Sequence, residues 1–376
     1  MINIKETFTK LTSKLYPYRT EGDVIRLLPE FSFNMDSIGN YFIIVKKQNG
    51  EYSDTMFTCH LDTVDRGSTY YGAIDYSNRV WNRETFRYDI IDPSKEKDTV
   101  KKNQIVHVFD GDFIKTDGKT NLGADDKAGM VIMLNMITEK VPGLYYFFIG
   151  EESGCVGSSA LSIKFLDNIN KLGIPSIKKC ISFDRKGYDS IITHQMSRNC
   201  ASDKFSDELA NRLNEYGFWF KKDSGGVYTD SAEFIDVIPE CTNISCGYFN
   251  EHTLAEKQDI EFLKLLAIVC TQIDWETLPI ERDCTGKSRS RYESSYNRYN
   301  TGNYFGNNGS YRRTYYNDDH DDYTFAGNSY GKKKEEHVEE KVEKEVIKTD
   351  FNTEESDTFS FDAWYKEQKE KSEYPF

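Results

Sequence analysis

Four times between residues 55 and 252, an apolar run of strand length ends at an imidazole or a carboxylate. "TMFTC" runs into His60 and Asp62, "LYYFFIG" into Glu151 and Glu152, "KKCISF" into Asp184, and "NISCGYFNE" into His252. A further acid, Asp125, stands in "GADDKAG", where an apolar helical stretch begins. The run from Leu144 to Ile149 is aromatic and aliphatic throughout, which reads as a strand buried on both faces. Ionised carboxylates are seldom left unpaired beside such a strand, so Glu151 and Glu152 call for a partner.

The runs between these points alternate in type. "NYFIIVKKQNGEYSDTMFTCHLD" has the pattern of a hairpin, with two apolar strands joined at Asn49 and Gly50. From Lys127 the chain reads as a buried helix, "GSSALSIKFLDNINKL" as another, then "KKCISFD" and "SIITHQ" as strands and "FSDELANRLNEYG" as a helix. "CTNISCGYF" and "DIEFLKLLAIVCTQI" close the folded part as strand and helix, while residues 66 to 111 read as an excursion over one end of the sheet. Alternating strands and helices predict a three-layer α/β/α domain around a mixed, mostly parallel sheet. In such sheets ligands bind beyond the carboxyl ends of the strands, which is where the histidines and acids fall.

Composition sets limits on function. The chain has 376 residues and a net charge of −14, with no basic face to neutralise phosphates, so nucleic acid is not an expected partner. Its eight cysteines form no CxxC pair and several sit in apolar runs, which reads as reduced, buried thiols. The start, "MINIKETFTKLTSKLYPY", has helical spacing without the apolar core of a secretory signal, and no run approaches the ~20 apolar residues of a membrane span. A cytoplasmic protein without a membrane partner is expected.

Taken singly, each motif has a plain structural explanation. An acid at a helix start suits the helix dipole, a Glu pair is usually a solvated turn, and a single histidine is usually structural. Together, imidazoles and carboxylates suit zinc or a similar divalent ion, and one carboxylate can bridge two. Two such ions ~3.5–4 Å apart acidify a water and polarise a carbonyl, leaving proton transfer to a further acid.

The ordered set "TCHLDTVD", "LGADDKAG", "IGEESGCVGS", "SFDRKG" and "NEHT" resembles the successive metal-site motifs of the dinuclear zinc exopeptidases. That superfamily contains aminopeptidase S-like enzymes, peptidase T and the glutamyl aminopeptidases, and "DSIGNYFIIV" resembles the strand they carry before the first histidine. The resemblance implies that His60 and Asp184 bind one ion, that Glu152 and His252 bind a second, and that Asp125 bridges them, often with a cis peptide to Asp126. It implies that Glu151 is the general base and that Asp62 holds the ring of His60 in its ligating tautomer. "GGVYTDSAEF" resembles a substrate-contact loop, making Tyr228 a candidate for the oxyanion and Asp230 for the loop or the substrate amine, with His194 a further candidate. Many relatives insert a lid domain between the aspartate ligand and the last histidine. Here only 67 residues lie between Asp184 and His252, so no separate lid is expected.

The expected organisation is a catalytic domain over 1–282, a Tyr/Asn/Gly/Arg-rich linker over 283–331, and a charged helix with a docking peptide over 332–376. The tail has too few aliphatic residues to offset its ordering entropy, so a disordered C-terminal tail that engages a protein partner is expected. The expected activity is a metal-dependent aminopeptidase on short peptides, with two zinc ions, or cobalt or manganese. The competing readings are a related amidohydrolase, such as a carboxypeptidase or an N-acyl amino acid deacylase, and a non-enzymatic scaffold presenting the tail.

Overall fold

The computed structural model describes residues 1–64, 105–284 and the two short strands Arg79–Asn82 and Arg87–Ile90. A compact unit spans Met1–Arg289, and the second unit, Ser290–Phe376, lies outside the described residues, as do the expectations made for the tail. Most of the excursion expected over residues 66–111 also lies outside them.

Eight strands form the central sheet, in the order Asn34–Met35, Tyr41–Val45, Gly143–Phe148, Thr55–His60, Lys179–Arg185, Glu240–Ser245, Ser190–Ile192 and Lys221–Asp223. The four middle strands, from Gly143–Phe148 to Glu240–Ser245, are parallel to one another. Antiparallel pairings enter on either side, so the sheet is mixed and parallel at its centre. Every residue of Thr55–His60, Gly143–Phe148 and Glu240–Ser245 is buried, as strands covered on both faces require.

The expected hairpin is not formed. Tyr41–Val45 and Thr55–His60 are not neighbours, because Gly143–Phe148 lies between them, antiparallel to the first and parallel to the second. The Asn49–Gly50 turn exists, with the Gly50 N–H donating to the Lys47 carbonyl, but it ends one strand without starting the partner. "SIITHQ" also divides: Ser190–Ile192 joins the large sheet, whereas His194–Gln195 pairs with Arg198–Asn199.

The two faces carry different layers. Phe57 and Phe183 pack against Trp275, and the Phe57 ring is 5.0 Å from Tyr145 and 5.1 Å from Trp275. The helix Ala124–Thr138 lies on the strands Thr55–His60 and Lys179–Arg185 and touches the helices Ile4–Leu11 and Ile260–Val269. Its approach is close enough that a Cβ at Gly129 would stand 2.2 Å from the Phe183 carbonyl oxygen. The alternate side chains Met56, Leu144, Tyr146 and Phe148 form the opposite core with Leu161, Phe165 and Phe234. Leu161 and Phe165 come from the single helix expected after Glu152, which is broken at Lys164 into Val156–Ile163 and Phe165–Lys171.

A second sheet is four-stranded and antiparallel, ordered Tyr248–Phe249, Lys257–Asp259, Phe113–Thr116 and His107–Asp110. Its first connection carries His252. No helix among the described residues is long and apolar enough to cross a membrane. The eight cysteines are all free, and seven are buried.

Candidate metal centre

Three parallel neighbouring strands deliver their following residues to one edge. His60 ends its strand, Glu151 and Glu152 follow Phe148 through Gly150, and Asp184 lies near the end of Lys179–Arg185. Gly150 has φ 67°, and a Cβ there would stand 2.8 Å from the Tyr18 ring, so the turn that presents the glutamates depends on glycine. Asp125 and Asp126 sit at the start of the helix Ala124–Thr138 in non-helical conformations, joined by a cis peptide. His252 comes from the connection between Tyr248–Phe249 and Lys257–Asp259, with φ 61°.

These side chains converge. One oxygen of Asp125 is 2.9 Å from His60 Nε2, and the other is 3.2 Å from His252 Nε2. Asp184 Oδ1 stands 3.6 Å from His60 Nε2, and Glu152 Oε1 2.9 Å from His252 Nε2. Two groups of metal-ligand type result, His60–Asp125–Asp184 and Asp125–Glu152–His252, sharing Asp125; His60 also lies near Glu151 and Glu152.

The charges do not balance by themselves. Burial alone would lower the His60 pKa, yet the carboxylates of Asp184 and Asp125 hold it well above its ordinary value. His252 is likewise pushed up to about 11 by Asp125 and Glu152, against the effect of burial. Asp125 is held low by the two imidazoles that donate to it. Asp184 and Glu152 are nevertheless raised by burial and by the Asp125 charge, and Glu151 is raised well above the usual range by burial, with Asp184 and Asp230 adding to it. Carboxylates outnumber the imidazoles, and a buried excess of negative charge is costly unless cations neutralise it. The donor set, imidazole nitrogens and carboxylate oxygens, fits divalent ions of the zinc type.

The supporting contacts show how the site is held. His60 Nδ1 donates to the backbone carbonyl of Asp62 (3.0 Å), which turns Nε2 towards Asp125 as the nitrogen that would ligate a metal in place of its proton. The Asp62 carboxylate lies 3.6 Å from the same ring and accepts the N–H groups of Glu151 (3.0 Å) and Glu152 (3.2 Å). Asp62 therefore fixes His60 through its carbonyl and the glutamate pair through its carboxylate. Asp184 accepts from the hydroxyls of Tyr248 and Thr229, and its backbone is clamped by the Asn243 amide.

Several supports went unnoticed in the sequence. Asp126 accepts the His60 and Gly129 N–H groups. The buried Lys127 donates to the Leu61 carbonyl (2.8 Å). Glu256, 1% exposed, accepts the backbone N–H groups of Leu122 (2.7 Å), Gly123 (2.8 Å) and Asp125 (3.1 Å). The only local hint for Glu256 was its place four residues after His252.

A cavity of about 220 Å³ opens on the centre, lined by Asp125, Glu151, Asp184 and His252 and, among others, by Arg185 and Tyr228. The remaining substrate candidates do not line it. Asp230 is 1% exposed and accepts from the Ser158 hydroxyl, and His194 Nδ1 contacts the Thr193 hydroxyl.

No family model matches the chain. An 85-residue stretch is 41% identical to the uncharacterized protein YqjE of Bacillus subtilis, covering 20% of this chain and 23% of that protein, well under two thirds of its length. Among solved structures, aminopeptidase PepT from Bacillus cereus superposes with a TM-score of 0.51 at 17% identity, covering 71% of this chain and 96% of that one. A tripeptidase from Staphylococcus aureus superposes at 0.49 and 14% identity, covering 72% and 96%. A mixed sheet parallel at its centre, helices on both faces and the PepT superposition agree: the chain has the zinc-exopeptidase fold.

Proposed function

We propose that this domain is a two-metal aminopeptidase acting on short peptides. The observation that supports it most directly is the Asp125 carboxylate, whose two oxygens each face a different imidazole. In this reading His60, Asp125 and Asp184 hold one ion, and Asp125, Glu152 and His252 hold the other, with zinc the best match and cobalt or manganese acceptable to the same donors. Ions bound there supply Lewis acidity, acidifying water and polarising a peptide carbonyl.

The protein's own groups do the rest. Glu151 takes a proton from the attacking water and returns it to the leaving nitrogen, a role suited to a buried carboxyl held above its ordinary pKa. Asp62 fixes the position of that base by accepting its backbone N–H. Tyr228 lines the cavity, which supports it as the donor to the oxygen that gains charge. Asp230 orders the wall from behind through Ser158. The aminopeptidase activity in the name of the Bacillus cereus protein supports trimming from the amino end.

The test is to strip the full chain of metal, restore zinc, cobalt or manganese, and screen aminoacyl, acyl and dipeptide substrates. Aminoacyl hydrolysis is expected; release of only acyl groups or C-terminal residues would move the assignment to a deacylase or carboxypeptidase. Glu151→Gln should retain bound metal and lose roughly 10²–10⁴-fold or more in turnover. Full activity in that variant would refute the base assignment.

A further inference from the structure

Arg185 directly follows Asp184 on the strand and lines the cavity beside the metal centre. Its side chain is 20% exposed, and its contacts with protein acceptors are thin. Both run through Nη2, at 3.4 Å to Asp223 and 3.3 Å to the Gly225 carbonyl, while Nε, though buried, has no acceptor among the described residues. The ion pair with Asp223 is long, at 3.4 Å, and that carboxylate makes shorter contacts with the Ser190 hydroxyl (2.8 Å) and the Gly225 N–H (2.7 Å).

The other cation on the wall is accounted for. Lys186 is paired with Glu251 at 2.7 Å. Of the acids on the wall, Glu251 is the partner of Lys186, and Asp125, Glu151 and Asp184 belong to the metal centre. Arg185 is thus a cation held only by long Nη2 contacts, with its Nε unpaired, next to the reacting groups, and a guanidinium can bind a carboxylate with two parallel bonds. A second group points the same way. Gln195, 1% exposed and also lining the cavity, donates to the Ser231 hydroxyl (3.0 Å), but its carbonyl oxygen has no partner among the described residues. A ligand that brings both a carboxylate and an N–H satisfies both groups. Because Arg185 directly follows Asp184 and lines the same cavity, a carboxylate that it binds lies close to the scissile bond.

We propose that this cavity selects substrates carrying a carboxylate within one residue of the scissile bond, and that Arg185 is the group that reads it. The inference rests on the peptidase reading and narrows its substrate class. The carboxylate can be the acidic side chain of an N-terminal residue or the free C-terminus of a dipeptide.

Two substrate pairs separate the sources. Glu- and Gln-aminomethylcoumarin differ only in the side-chain charge and lack a terminal carboxylate, whereas Leu-Gly and Leu-Gly-amide differ only at the C-terminus. In the metal-loaded full chain, one pair should show a kcat/KM ratio of roughly 10 to 100 in favour of the acid, as expected for one charge-assisted contact. That ratio should fall towards one in Arg185→Met and be partly kept in Arg185→Lys, which retains the charge but not the fork. Thermal melting accompanies each variant, and if Arg185→Met is unfolded, the partial loss in Arg185→Lys decides the matter. Ratios near one for both pairs in the unsubstituted protein, or a ratio unchanged in the variants, would overturn the proposal.

Calorimetric binding of L-glutamate against L-glutamine, and of Leu-Gly against its amide, gives a readout independent of turnover. If nothing is hydrolysed, the peptidase reading fails. An Arg185-dependent preference in binding would still support carboxylate recognition, and equal binding would overturn it.

Discussion

Glu256→Ala tests whether the metal centre is held by its backbone as well as by its ligands. The Glu256 carboxylate, 1% exposed, caps the turn that presents Asp125 by accepting three backbone N–H groups at 2.7, 2.8 and 3.1 Å. Each buried donor left without an acceptor costs about 1–3 kcal/mol, so three cost about 3–9 kcal/mol. Part of this is offset, because the substitution also removes a carboxylate that burial and the Asp125 charge push up to about 7. Holding that group ionised at neutral pH costs about 3 kcal/mol against its ordinary value of 4.5. The net loss is then about 0–6 kcal/mol, with a midpoint of about 3 kcal/mol, a large share of the ~5–15 kcal/mol available to a domain but short of unfolding it.

At about 2–4 °C per kcal/mol for a domain of this size, that midpoint lowers the melting temperature of the metal-free protein by about 6–12 °C. Because Asp125 belongs to both ligand groups, both ions should also bind roughly 10–100-fold more weakly in a chelator competition, as is usual when an outer support of a metal site is lost. Glu256→Gln keeps one oxygen for Leu122 and Gly123 and should fall between. An unchanged melting temperature together with unchanged metal affinity would refute the idea that this cap positions Asp125.

Three further outcomes follow from the same coordinates. His252→Ala should lose one of two metal equivalents measured by elemental analysis, because Asp125 and Glu152 alone are left to that ion; two retained equivalents would contradict the assignment. Glu21, 4% exposed, is pushed up to about 8 by burial and then by the Asp62 charge. A carboxyl raised above its unfolded value of 4.5 stabilises the fold fully below that pH and loses its contribution as pH rises through about 8. Urea midpoints of the metal-free protein should therefore fall between pH 5 and 8, and Glu21→Gln should flatten the fall. Phe57→Ala removes a fully buried ring that contacts Tyr145, Phe183 and Trp275, and should cost about 3–5 kcal/mol in urea unfolding with the ligand set intact.

What the sequence made legible follows from which interactions are local. His60, Glu151, Glu152 and Asp184 stand at or just past the ends of apolar runs, and three neighbouring parallel strands carry those ends to one edge, so order along the chain became proximity in space. Pairing partners are not local, which is why the hairpin was misread. The Asn49–Gly50 turn is a strong short-range signal, yet Gly143–Phe148, buried along its whole length, takes the position between the two strands. A strand with no exposed face needs neighbours on both edges, and nothing within residues 41–60 records that demand.

The supports of the site were hidden for the same reason. Asp62 was noticed because it stands two residues from His60, but its carboxylate reaches Glu151 and Glu152, 89 and 90 positions along the chain. Glu256 reaches back 131 to 134 positions to the turn before Asp125. A ligand is betrayed by its chemistry, since a carboxylate at the end of an apolar strand is anomalous wherever it occurs. A residue that caps a distant backbone turn has no such anomaly until the turn is in place. Arg185 is the intermediate case: its position after Asp184 is visible in the sequence, but its long contacts with Asp223 and Gly225 and its unpaired Nε depend on residues 38 to 40 positions away. If Arg185 reads a substrate carboxylate as proposed, that preference depends on how loosely Asp223 holds it, and variants of Ser190 that give Asp223 a free oxygen should draw Arg185 away from the cavity and weaken any carboxylate preference measured there.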